Sequence, residues 1–210
     1  MPRLLLDQVL PDYDATVAVH RVLEGDPAVV YRILTTTDLA QIPRTNAAVR
    51  AVFAVRMAAE RIVGALRGRP APAADPGEPL RLADLGEHGE WLRLAEDAPH
   101  ELVFGAAGRF WAGSTVWQPL DAATFANFDR PGFAKVVCGI SLRPYGDRRT
   151  LVSYEARTRA LDPASRRAFL RYWRVVRPGA AVVMGAFLRA ALTAGAATPA
   201  AAPPTGAASR

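Results

Sequence analysis

The dipeptide Asp162-Pro163 opens the stretch that most constrains this chain. An aspartate carboxylate caps free N–H groups at a helix start, and a proline just inside gives up a donor that has no partner there anyway. From Pro163 to about Ala194, the residues Phe169, Trp173, Val176, Ala180, Val183 and Phe187 recur at three- and four-residue spacing. They predict one long helix with one apolar stripe. Pro178 lies inside it and is expected to kink it. Directly before it, Lys135 to Leu142 reads as a strand, Pro144-Tyr145-Gly146-Asp147 as a turn, and Thr150 to Leu161 as the returning strand. Strands joined by short turns form an antiparallel sheet. Such a sheet has a face to bury, and the helix has a stripe to bury it with.

The rest of the chain supplies more of the same. Asp14 to Leu23 predicts a first strand, followed by a short helix over roughly Pro27 to Leu34 with Asp26 as its cap. Asn46 to Leu66 predicts a longer amphipathic helix, ended by Gly68. Residues 69–79 are a Pro/Ala/Gly/Asp linker. Leu92 to Leu94 and Glu101 to Phe104 predict a hairpin about Asp97-Ala98-Pro99. Phe110-Trp111 opens a further strand, and Asp121 to Phe128 is a short helix broken by Arg130-Pro131-Gly132. The fold class expected is α+β: one domain over residues 1–195, then a disordered tail over 196–210 rich in Ala, Pro, Thr, Gly and Ser.

Composition narrows the function classes. The net charge is +6, but Lys135 is the only lysine and no run of four Arg or Lys occurs, so a nucleic-acid partner is not expected. Cys138 is the single cysteine, which excludes an internal disulfide and a Cys-built metal site. The segment before Asp7 is too short for a signal-peptide core. The most apolar run, Gly179 to Gly195, is 17 residues long and contains Arg189, too short and too charged for a membrane span. A cytoplasmic protein is the expectation.

The order of elements resembles the START/Bet v 1-like superfamily, also called SRPBCC or polyketide cyclase-like. Three blocks carry the likeness to its actinobacterial members. They are Ala15 to Leu34, Pro131-Gly132-Phe133-Ala134-Lys135, and Ser153-Tyr154-Glu155-Ala156-Arg157 with Phe169-Leu170-Arg171-Tyr172-Trp173. The resemblance implies a helix-grip fold, a curved antiparallel sheet wrapped around the C-terminal helix, with a cavity for a small hydrophobic molecule. Lipids, quinones and polyketides are the classes it suggests. The helix Asn46 to Leu66 and the linker depart from the compact helix pair usual after the first strand.

None of the histidines, His20, His88 and His100, has a partner at metal-ligand spacing, and no metal or cofactor is expected. No Gly-x-Ser-x-Gly elbow or phosphate loop occurs. Cys138 reads as a small buried hydrophobe. Glu155 and Arg157 lie two apart on one strand and share a face. Folding the hairpin about Tyr145 to Arg148 puts Leu142 opposite Leu151, Ile140 opposite Ser153 and Cys138 opposite Glu155. On that register the pair faces the cavity, where it could orient a ligand or transfer a proton. The other reading is an ion pair on the outer face. The expected ligand-binding set is Leu94, Phe104, Phe110, Trp111, Cys138, Ile140, Glu155, Arg157, Phe169 and Trp173. Carrying a hydrophobic ligand is the favoured function. A cyclase or aromatase using Glu155 and Arg157 is the alternative. A third reading is an interaction protein using the basic helix face of Arg166, Arg167, Arg171, Arg174 and Arg177.

Overall fold

The computed structural model describes residues 3–52, 54, 81–86, 88–111 and 115–197. Eight strands appear among them. They are β1 (Ala15–Glu24), β2 (His88–Gly89), β3 (Leu92–Asp97), β4 (Glu101–Arg109), β5 (Val116–Gln118), β6 (Leu120–Asp121), β7 (Ala134–Pro144) and β8 (Arg149–Ala160). Six form one antiparallel sheet in the order β1-β8-β7-β4-β3, with β5 also on β4. β2 and β6 pair separately. The helices are α1 (Leu5–Val9), α2 (Pro27–Thr36), α3 (Ile42–Thr45), α4 (residues 47–52), α5 (Ala122–Asn127) and α6 (Pro163–Ala197). Asn46 caps α4, its Oδ1 accepting from the N–H groups of Ala48 at 3.1 Å and Val49 at 3.2 Å. Apart from residue 54, which is helical, the remainder of the helix expected over 46–66 lies outside the described residues, as do the linker at 69–79 and residues 198–210 of the tail expected over 196–210.

One face of the sheet packs on α6. Leu23, Phe104, Cys138, Ile140, Leu142 and Val152 meet Phe187, Leu188 and Ala191 there, with Val30 and Leu34 of α2 joining from the side. This sheet gripping a long C-terminal helix is the helix-grip fold, an α+β architecture, as expected from the sequence. α6 is also long and apolar enough to cross a membrane by length and composition. Five arginines lie in the N-terminal half of this helix, and the run Gly179 to Gly195, expected not to span, is its C-terminal half. Its Phe169, Phe187 and Leu188 are nevertheless buried within the protein.

The helix start follows the sequence closely. Asp162 Oδ1 accepts from the N–H groups of Ala164 and Ser165, both at 2.9 Å, and Oδ2 from that of Gly132 at 2.7 Å. The Ser165 hydroxyl and these N–H groups hold the Asp162 carboxyl down at about 2. A carboxyl lowered in the folded state stabilises fully above its unfolded value of about 4, and loses that contribution as pH falls through about 2. Asp162→Ala is therefore expected to lower the melting temperature near neutral pH and to matter little at about pH 2. An equal loss at both pH values, measured by thermal melts, would show that the charge of the cap plays no part. α6 runs through Pro178 without interruption and on to Ala197, beyond the end expected at about Ala194, so residues 196 and 197, expected in the tail, continue the helix. Asp26, expected as a cap for α2, makes no side-chain cap bond; only its carbonyl accepts, from the N–H groups of Val29 and Val30 at 3.0 Å.

The opposite face of the sheet carries a second core. Leu6 and Leu10, from α1 and its C-terminal flank, pack on Leu92, Val103, Ala107, Val137 and Phe125. The sequence reading assigned no element to residues 1–13. A five-residue helix has too few turns to show a period, and its stability comes from the surface beneath it.

Candidate functional site

The hairpin turn decides which side chains face α6. Tyr145 N–H donates to Arg149 O at 2.8 Å, so the loop closes over Gly146, Asp147 and Arg148. Gly146 (φ 63°) and Arg148 (φ 50°) both take the left-handed backbone that this tight reversal needs. The pairing is therefore Leu142 with Val152, Ile140 with Tyr154 and Cys138 with Ala156. The expected register is off by one residue, and a one-residue slip turns every side chain to the other face.

Glu155 and Arg157 consequently lie across from Gly139 and Val137, on the face away from α6. They do not form a solvated pair there. Arg157 is buried under the N-terminal segment. Its Nε donates to Glu155 Oε1 at 2.7 Å, its Nη2 lies 2.7 Å from Asp7 Oδ1, and its Nη1 donates to Leu10 O at 3.2 Å. The guanidinium also sits 4.7 Å from the centre of the Tyr13 ring. Thr16 Oγ1 donates to Glu155 Oε1 at 3.1 Å. Leu94, at the bulge in β3, belongs to the same opposite-face core. Leu94, Glu155 and Arg157 are thus separated by the thickness of the sheet from the other expected site residues.

The remaining seven share the α6 side. Phe110 is the hub, with ring centroids 5.3 Å from Trp111, 5.7 Å from Trp117 and 5.9 Å from Phe169. Trp173 stacks 5.8 Å from Phe169. From Trp117 the contacts continue to Trp91 at 5.5 Å, Phe104 at 6.0 Å, Tyr154 at 6.2 Å and Phe187 at 5.8 Å. This aromatic arc starts and ends on α6, at Trp173 and Phe187, about 21 Å apart along the helix axis. Between those ends Val176, Ala180 and Val183 are only half-buried. Trp91, Phe110, Trp111, Trp117 and Trp173 are half-buried too, unlike Phe169. Phe110 and Trp111 follow the end of β4 rather than opening a strand. The strand is β5, and it lies so close to β4 that a Cβ on Gly108 would stand 2.5 Å from the Trp117 ring.

The register also brings Tyr154 to this face, a polar side chain that the sequence reading did not select. It lies across from Ile140, next to the Cys138–Ala156 pair. Burial raises the Tyr154 phenol well above its ordinary value and pushes the Cys138 thiol up to about 12. Both are therefore neutral near pH 7, so Cys138 is no thiolate nucleophile and Tyr154 keeps its proton to donate. The signal was present in the alternation of β8, and the turn parity hid it. The five arginines in the N-terminal half of α6, Arg166, Arg167, Arg171, Arg174 and Arg177, are all exposed. Among the described residues no three His, Cys, Asp or Glu side chains converge as metal ligands would.

No family model and no curated protein matches the chain. Similar solved structures include a Mesorhizobium loti protein, 17% identical, with a TM-score of 0.38 over 86% of this chain and 96% of that one. A conserved protein from Geobacillus kaustophilus is 12% identical, with a TM-score of 0.41 over 87% and 95%. An aromatase/cyclase from a Streptomyces species is 13% identical, with a TM-score of 0.29 over 84% and 93%. The helix-grip fold of this chain stands on its own strand order and on α6.

Proposed function

We propose that the protein binds a small, planar, hydrophobic molecule between the sheet and α6. The observation that supports this is the half-buried aromatic arc. A filled core seals its largest side chains, whereas here five aromatic residues keep accessible surface on one wall. Rings at 5.3 to 6.2 Å spacing present π faces and edges to a flat guest. Tyr154 and Cys138 supply the polar atoms on the same face, and a neutral phenol would donate to a ligand carbonyl. Glu155 and Arg157 have no route through the sheet to such a ligand, so the cyclase reading loses the two residues on which it rested.

All four tryptophans of the chain, Trp91, Trp111, Trp117 and Trp173, belong to the arc. Intrinsic fluorescence therefore reads this region directly. A quinone or a polycyclic aromatic ketone is expected to quench most of the emission saturably, and a saturated fatty acid to bind with a smaller change. Emission that stays constant across all three, together with no brightening of an apolar dye, would defeat the ligand-binding reading.

A further inference from the structure

The face away from α6 holds a cavity of about 170 Å³ between the sheet and the N-terminal segment. Its floor is a polar row running straight across four strands. Glu101 of β4 pairs with Ser141 of β7, Ser141 with Ser153 of β8, and Ser153 with His20 of β1. The row borders the backbone of Gly139, where a Cβ would come within 3.0 Å of the Leu6 side chain. Leu4 and Leu6 line the apolar side.

The hydrogen bonds leave part of this row unused. Glu101 is occupied, taking the Leu5 N–H on Oε2 at 2.7 Å and Arg143 on Oε1. His20 Nδ1 lies 2.9 Å from Ser153 Oγ. Glu155, which also lines the cavity, takes both Thr16 and Arg157 on Oε1, which leaves Oε2 as a further acceptor. Ser141 contributes a second hydroxyl beside it. Two carboxylates line the cavity, Glu101 paired with Arg143 and Glu155 paired with Arg157.

We propose that this cavity binds the ammonium group of a small aliphatic amine. An ammonium has three donors and no acceptor. Glu155 Oε2 and the hydroxyls of Ser141 and Ser153 supply three acceptors, and a carboxylate oxygen among them favours a cation over a neutral alcohol of the same shape. Leu4 and Leu6 would cover the hydrocarbon part. The volume suits a guest of roughly ten heavy atoms or fewer, at about 15 Å³ for each water-sized position.

The test titrates the full chain at fixed pH with cyclohexylammonium and, in parallel, with cyclohexanol. The readout is the ring resonances of His20 by NMR, assigned by comparison with His20→Asn. These report the amine cavity alone, because the aromatic arc lies on the other side of the sheet. The expected result is a saturable His20 shift with the amine and affinity at least about tenfold weaker for the alcohol. Glu155→Gln and Ser141→Val should each weaken the amine several-fold. Ser141 carries no ion pair, so its variant keeps the test available if Glu155→Gln fails to fold. Equal affinity for amine and alcohol, no saturable shift, or an unchanged affinity in Ser141→Val would overturn the proposal.

Discussion

Replacing Arg157 with alanine is expected to destabilise the protein by about 3 kcal/mol. Arg157 is 6% exposed, although it carries a full charge. It ties three chain segments together, with Asp7 and the Leu10 carbonyl on the N-terminal segment, Tyr13 just before β1, and Glu155 on its own strand. Removing it leaves two carboxylates facing each other over a partly dry surface. Breaking a buried ion pair from one side costs about 3–5 kcal/mol. The low end applies because Asp7 and Glu155 retain 33% and 24% of their side-chain exposure, so water takes up part of the lost interaction. Arg157→Lys should recover only part of the loss, since an ammonium cannot reach three acceptors through a planar fork. Urea unfolding decides the matter. A loss below about 1 kcal/mol for Arg157→Ala would mean that the N-terminal segment contributes little to the sheet beneath it.

Phe169→Ala is expected to cost as much or more, about 3–5 kcal/mol. Phe169 is fully buried, and its ring touches those of Phe110, Trp111 and Trp173. Truncation removes the side chain that joins the start of α6 to the segment after β4, and leaves a cavity beneath two half-buried tryptophans. Trp173→Ala should cost less, even though Trp173 is the larger residue, because its ring is already partly in water. Against a total stability of 5–15 kcal/mol for a typical domain, Phe169→Ala leaves a narrow margin. The same variant should shift the tryptophan emission to the red and weaken quenching by planar ligands. A Phe169→Ala protein as stable as the parent, or less destabilised than Trp173→Ala, would falsify the assignment of Phe169 as the anchor of the arc.

The sequence by itself determined the elements whose cause is local. The Asp162-Pro163 start, the stripe from Phe169 to Phe187, the two strands around Gly146 and the amphipathic start at Asn46 each follow from capping, period or turn chemistry among near neighbours. Enough of these acted in one direction to specify a sheet gripping a helix, and to gather Phe104, Phe110, Trp111, Cys138, Ile140, Phe169 and Trp173 on one side. What the tertiary structure decided was parity and cover. Whether the hairpin closes over three residues or four depends on Gly146 and Arg148 both accepting a left-handed backbone, and arginine gives no sign of that in a sequence. That single residue of register exchanged Glu155 and Arg157 for Tyr154 and Ala156 on the face toward α6. Cover was equally non-local. Leu6 and Asp7 are unremarkable beside Met1-Pro2-Arg3, and acquire a role only because the second face of the sheet presents Val103, Val137 and Arg157 to them. A short helix has no period of its own to read, and it exists here because the surface it covers is apolar around one charge.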